Sequence, residues 1–299
     1  MNKLSHIILA LVVSISMVFL RVNAQDKFEL GKQEFKNGNY PKALSIFRDI
    51  KVKQKKNAEL FFLMGSALVK LDSLDAALIE FTQSRELDEQ NPAIYINIGD
   101  IYFKQKIYPA AIEQYKKAIE LNNGLIEAHI KQAQTFHKMR KYNEAVSEYL
   151  VAIQLDTTNS NLYEDVGKIY IQAKQFNKAS RMYKKLTELR PKSLEAHVSF
   201  MRALFEIKDY ETTVTVADQV IKLDSTVVEA YRLKASSYVE LKEHQKAEET
   251  FLKLQEKKEL NAKDYLNLGK SQNGQDKQEL AIKSFEMALK IDSSLSDVF

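Results

Sequence analysis

One periodicity constrains this chain more than any other property: a 34-residue step carries the same order of small and aromatic residues from residue 24 to residue 295, eight times, without insertion. Within one step the run Tyr95, Ile98, Gly99, Tyr102 is followed by Ala111, Tyr115 and Ala118. Apolar residues three and four apart form one stripe of a helix. The nine-residue gap around Lys106 to Pro109 breaks that stripe and predicts a turn, so the unit is a helical hairpin. Stepping forward gives His129, Gln132, Ala133, Phe136, Ala145, Tyr149, Ala152, and then Tyr163, Val166, Gly167, Tyr170, Ala179, Tyr183, Leu186. A hairpin of this size cannot bury its apolar face alone. Stacking on its neighbours supplies the core.

With residue 24 as position 1, the hairpins start at 24, 58, 92, 126, 160, 194, 228 and 262. Position 8 reads Gly31, Gly65, Gly99, Ala133, Gly167, Met201, Ala235 and Gly269. Position 20 reads Ala43, Ala77, Ala111, Ala145, Ala179, Thr213, Ala247 and Ala281. Two antiparallel helices interlock closely only where side chains are small. Position 24 (Phe47, Phe81, Tyr115, Tyr149, Tyr183, Phe251, Phe285) is expected to fill the space between hairpins. Pro41 and Pro109 fall near the start of second helices, Pro92 at position 1 and Pro191 in a loop, so none interrupts a helix.

This order resembles the tetratricopeptide repeat, whose 34-residue pattern is W-x2-L-G-x2-Y, then A-x3-F, then P. The resemblance covers nearly the whole chain after residue 24 and implies an all-α fold, a right-handed α-solenoid of antiparallel helical hairpins. Tryptophan is absent, and Tyr95, Tyr163, Tyr231 and Tyr265 take position 4. His129 and His197 read there as substitutes for an aromatic wedge. Hairpin six departs most, with Met201, Thr213 and Ala217. Either the methionine fills volume that an aromatic occupies elsewhere, or the superhelical twist changes locally.

The chain is 45% hydrophobic and 28% charged, with eight glycines and four prolines, as expected of one folded body without flexible linkers. There is no cysteine, which removes disulfides, thiol nucleophiles and thiolate metal sites. Lys3, the apolar run Ile7 to Leu20 and Val22-Asn23-Ala24 read as a secretory leader over 1–24, cleaved before Gln25. Arg21 keeps an uncleaved membrane anchor as the alternative. Loss of Lys3 and Arg21 lowers the formal charge from +4 to +2, a weak basis for nucleic-acid binding. The expected location is periplasmic or cell-surface.

No H-E-x-x-H, G-x-x-x-x-G-K, G-x-G-x-x-G or G-x-S-x-G occurs. The remaining histidines, His6, His137 and His244, are scattered. Carboxylate pairs such as Asp72 and Asp75, or Glu248 and Glu249, fall at expected solvated helix starts and outer faces. The reading is of a non-enzymatic chain with no cofactor and no metal.

Function is then expected to lie in a surface. The resemblance implies a concave groove lined by positions 2, 5, 9, 12 and 13. Its candidate residues are Phe62, Ile96 and Ile130 at position 5, Phe103, His137, Ile171 and Phe205 at position 12, and Lys70, Lys104, Lys138, Glu206 and Glu240 at position 13. An extended peptide or amphipathic helix of another protein would dock there. The carboxylate clamp of chaperone adaptors is not reproduced: Phe62, Ser66 and Glu127 stand where Lys, Asn and Lys belong, and Arg232 with Asn267 is a partial match. Position 13 passes from lysine in hairpins one to four to glutamate in six and seven, so the groove is expected to orient a ligand, its acidic part on the former and its basic part on the latter.

The ends differ. Lys27 and Glu34 occupy slots that are usually apolar, so the first hairpin reads as a water-facing cap. The last ends in Phe285, Met287, Leu289 and Ile291, and Gln272, Asn273 and Gly274 weaken its first helix. Ser296 continues the ruler as position 1 and Phe299 falls at position 4, so 296–299 reads as the start of a ninth repeat and the chain is expected to continue. The alternatives are a terminus whose Val298 and Phe299 fold back, or a homodimer burying this end. The function expected is an interaction scaffold of a cell-envelope complex. The second reading is the sensing or docking arm of a larger protein with a catalytic or anchoring domain beyond Phe299.

Overall fold

The computed structural model describes residues 24–298. Residues 1–23, all but the last residue of the expected leader over 1–24, and Phe299 lie outside the described residues, as do the side chains of 296–298. Sixteen α-helices follow one another in pairs, and no strand occurs among the described residues. They are α1 Ala24–Lys36, α2 Tyr40–Lys51, α3 Ala58–Lys70, α4 Leu74–Leu87, α5 Pro92–Lys104, α6 Tyr108–Leu121, α7 Ile126–Lys138 and α8 Tyr142–Leu155, then α9 Ser160–Gln172, α10 Phe176–Leu189, α11 Leu194–Glu206, α12 Tyr210–Leu223, α13 Val228–Glu240, α14 His244–Glu256, α15 Ala262–Asn273 and α16 Gln278–Ile291. A 3₁₀ turn, Ser293–Val298, closes the described chain.

The chain forms two compact units, one ending at Ala152 and one starting at Ile153. In the first, α1 packs on α2, α3 on α4 and α5 on α6, and each second helix also packs on the first helix that follows it. Its core is continuous, running through Phe28, Phe47, Leu60, Met64, Phe81, Ile94, Ile98 and Ile101. In the second unit α9 pairs with α10, α11 with α12, α13 with α14 and α15 with α16. An apolar cluster there gathers Ala235, Ala247, Phe251, Leu254 and Leu268. Each unit is a solenoid of antiparallel helix pairs.

The helices start where polar side chains can serve their free N–H groups. Asn57 accepts from the Leu60 amide, Asn91 from Ala93, Ser193 from Ala196 and Asp209 from Thr212, and Asn261 with Asp264 forms a reciprocal capping box. A main-chain hydrogen bond closes the turn inside every hairpin. Position 16 donates to the carbonyl of position 11 in all eight, from Asn39 to Glu34 at 2.9 Å through Ser73 to Leu68 and on to Lys277 to Gln272 at 3.0 Å. This is the Schellman closure, and it places position 15 in the left-handed region. Only Gly38 (φ 80°) occupies that position at no steric cost; Asp72, Lys106, Arg140, Lys174, Lys208, Lys242 and Asp276 hold φ between 55° and 62°.

The aromatic of position 24 lies against the position-8 glycine of its own hairpin. A Cβ on Gly31 would sit 2.4 Å from the Phe47 ring, on Gly65 2.9 Å from Phe81, on Gly99 2.6 Å from Tyr115 and on Gly269 2.4 Å from Phe285. The ring therefore fills a notch within the hairpin, not only space between hairpins. Position 20 is sealed, with Ala43, Ala77, Ala111, Ala145, Ala179, Thr213 and Ala247 fully buried. In hairpin six Met201 and Ala217 are both fully buried, so a long side chain opposite a small one replaces glycine opposite a ring.

Two carboxylates expected at water-facing positions turn inward. Glu34 is buried, accepting from Asn39 at 2.7 Å and pairing with Lys42 at 2.6 Å, and those hydrogen bonds hold its carboxyl below the usual range. Glu248 is buried too and accepts from Gln272, Gln275 and Lys277 at 3.2, 3.0 and 2.5 Å. Burial pushes its carboxyl up, and the three donors together outweigh that and leave it lowered. Gln272, which the sequence suggested would weaken α15, is instead buried and also accepts from Ser284 at 2.7 Å. Asp72 and Asp75 are exposed, as expected.

Candidate functional site

Positions 2, 6 and 9 of the first helices form a charged lattice that sequence reasoning passed over. In the first unit Lys32 reaches Glu59 at 2.9 Å, and Lys131 reaches Asp100 at 2.8 Å. In the second, Arg202 grips Glu229 through two hydrogen bonds of 2.7 and 2.5 Å, and Lys168 stands 3.9 Å from Glu195. Each link from position 9 to position 2 spans 27 residues, a spacing that the sequence displays. Its opposite charges were the available signal.

The second unit carries a cleft of about 510 Å³, within the size range of ligand pockets. Ile171, Phe176, Phe205 and Leu233 give it apolar walls, and Lys168, Arg202, Glu206 and Glu229 give it charge. These residues come from three successive first helices, α9, α11 and α13, with Phe176 and Tyr183 from α10. Burial pushes the Tyr183 phenol up, with Ser199 hydrogen-bonded to it on the cleft wall. Both lining cations are already occupied. Lys168 pairs with Glu164, whose carboxyl that hydrogen bond lowers against the effect of burial, with Arg190 adding a second bond at 2.7 Å. Arg202 is held protonated by Glu229.

The sequence-predicted groove residues separate into groups. Ile171, Phe205 and Glu206 share the cleft. Ile96 does not face a groove: it is 6% exposed, packed with Ala118 of its own hairpin and Ala128 of the next. Phe28 and Leu266, at the same register position, are buried as well. Phe62 is half-buried with its ring edge-on to Phe81 at 5.6 Å, and Ile130 is half-buried. Position 12 leans across its own turn. Phe103 meets Tyr108 at 5.7 Å, His137 meets Tyr142 at 5.6 Å and Phe205 meets Tyr210 at 5.8 Å. Such pairs add about 0.5–1.5 kcal/mol beyond area burial.

Position 13 is the last residue of its helix in seven hairpins, and Lys70, Lys104, Lys138, Glu206 and Glu240 are all exposed there. A cation at a helix C-terminus is favoured by about 0.3–1 kcal/mol and an anion disfavoured by a similar amount. The lysines therefore suit their place, and Glu206 and Glu240 oppose it. Arg232 bonds Asp264 at 2.8 Å and the Glu259 carbonyl, so it is not a free clamp residue.

The two histidines read as wedges also make polar contacts. His129 Nε2 lies 3.1 Å from the carbonyl of Asn123, six residues back, as the hydroxyls of Tyr95 and Tyr163 donate to Glu89 and Thr157. Its Nδ1 faces Glu148 at 2.7 Å, and His197 Nδ1 faces the Ser193 carbonyl at 2.8 Å. Among the described residues no cluster of His, Cys, Asp and Glu could hold a metal ion.

These hairpins match known families and folds. A model described as TPR repeat matches residues 99–140, and one described as Tetratricopeptide repeat matches residues 160–193. The chain is similar to the crystal structure of the C-terminal part of a TPR repeat-containing protein from Cytophaga hutchinsonii, with a TM-score of 0.61 at 18% identity over 86% of this chain and 98% of that one. It is also similar to YrrB, a TPR protein described as having an unusual peptide-binding site, with a TM-score of 0.52 at 17% identity over 63% and 97% of the two chains. MamA from Desulfovibrio magneticus RS-1 gives a TM-score of 0.53 at 16% identity over 57% and 97%. No curated protein matches. Tetratricopeptide-repeat models thus match two stretches of this chain, its helix pairs share the architecture of TPR structures, and at these identities its likeness to the solved structures is one of fold.

Proposed function

We propose that this protein is an exported interaction scaffold that holds an extended segment of another protein against its first helices. The observation that carries the reading is the cleft of the second unit, where three successive first helices contribute apolar walls rimmed by charge. Its walls come from positions 6, 12 and 17 and its charges from positions 2, 9 and 13, recurring along the array, as an extended ligand requires. The peptide-binding site in the description of YrrB supports the same reading, as does the absence of catalytic motifs from the sequence. The leader over 1–24 supports export, with the eight hairpins over 25–295 forming the exported part.

The test places a photo-crosslinking amino acid at Ser199 in the cleft or at Arg181, exposed on α10, in the chain expressed in its own cell. The expected result is a discrete crosslinked protein from Ser199 and none from Arg181. Equal labelling from both sites, or none from Ser199, rejects the cleft. N-terminal sequencing of the same material is expected to begin at Gln25.

A further inference from the structure

Resting on that reading, we infer that the cleft of the second unit takes a peptide segment in which an apolar side chain lies within two residues of a lysine or arginine, and that the basic group meets Glu206. The charges around the cleft are not equivalent. Arg202 is held by both oxygens of Glu229, and Lys168 is paired with Glu164. Glu206 is exposed and has no ion pair among the described residues. Lys174 and Lys178 line an adjoining depression that Glu206 also borders, and neither pairs with it.

The position of Glu206 sharpens the argument. It ends α11, where the free carbonyls already concentrate negative charge, whereas Lys36, Lys70, Lys104 and Lys138 stand at the same register position in the first unit. A carboxylate with no internal partner, disfavoured by its own helix and bordering an apolar cleft, is complementary to a cation from outside. An acidic segment would meet that carboxylate while both lining cations keep their own partners, so it would have to break an existing ion pair to bind. Ile171, Phe205 and Leu233 supply the apolar contact beside it. Charge attraction of this kind sets selectivity and association rate and weakens with salt.

The experiment pans a displayed library of random dodecapeptides on the full chain and on its Glu206→Gln, Glu206→Lys and Leu233→Arg variants, each first shown to melt cooperatively. The wild-type pool is expected to be enriched in lysine or arginine within two residues of Leu, Ile, Phe or Met. A synthetic peptide from that pool should bind roughly tenfold more weakly to Glu206→Gln and not at all to Leu233→Arg. Glu206→Lys should select acidic neighbours instead. Peptides that need Leu233 but carry no basic enrichment, or that bind Glu206→Gln unchanged, overturn this inference and leave the scaffold reading standing. Failure of the folded wild type to select any peptide that Leu233→Arg rejects overturns both.

Discussion

Leu44 in the first unit and Glu248 in the second occupy the same register position of their hairpins and are buried to the same degree, 5% and 6% exposed. Around Leu44 the surroundings are aliphatic and aromatic, part of the cluster that runs from Phe28 to Ile101. Around Glu248 they are Gln272, Gln275, Lys277 and, through Gln272, Ser284. In these two hairpins the same register position is enclosed alike and filled with different chemistry, so burial at a site does not fix what occupies the interface. An apolar filling is tolerant, because any side chain of similar volume serves. A buried carboxylate is not tolerant, because it needs each of its donors in place.

The largest expected effect lies in the apolar unit. Phe81→Ala removes a fully buried ring from its notch over Gly65 and should cost about 3–5 kcal/mol in urea unfolding. Hydrogen exchange should rise first in α3 and α4 and spread to their neighbours, since each hairpin depends on the next. Uniform loss of protection through both units would contradict the comparison. Next in size is Lys277→Met, which leaves Glu248 with two neutral donors and should destabilise the second unit by roughly 1–3 kcal/mol. Single-tryptophan reporters at Tyr95 and Tyr231, in a chain with no tryptophan of its own, separate the two units in such melts.

Acid should act on the same network. The folded-state pKa of Glu248 is lowered, so its contribution is present above the unfolded value of about 4.3 and is lost as pH falls through the folded value. The Tyr231→Trp reporter should show the midpoint falling with acid below that pH, and Glu248→Gln should flatten the dependence. A smaller effect tests the turns. Lys106→Gly, at φ 62°, should raise the stability of its hairpin by up to about 1 kcal/mol, and Gly38→Ala should lower it by a similar amount. The smallest is Glu206→Lys, expected to stabilise by about 0.3–1 kcal/mol through the helix dipole while abolishing selection of basic peptides. Gain of stability with loss of binding would mark Glu206 as kept for recognition.

Much of this was legible in the residues. The ruler gives every hairpin start, because alanine at position 20 and glycine at position 8 report helix crossings that no other residue satisfies as well. Three things were hidden. The left-handed residue at position 15 carries glycine once in eight hairpins, so its usual marker is missing; the closure rests on main-chain bonds that any side chain permits. The burial of Glu34 and Glu248 depends on donors 5 to 29 residues away, which periodicity does not connect. Register alone places Ile96 in a groove, although its side chain is drawn into the core where Ala118 and Ala128 supply a surface.

The main-chain closure of each hairpin also makes the molecule's length quantised. The same main-chain bond closes every hairpin turn, and in the first unit α3 and α5 both start after an asparagine that caps its own helix. Cutting out residues 58–91 would join Asn57 directly to Pro92, a helix start to a helix start, with every remaining turn intact. Excision of 34 residues should yield a shorter cooperative fold, whereas removing 33 or 35 rotates one helix by about 100° against its partner and exposes the notch its aromatic should fill. The protein can therefore change its reach only in whole steps.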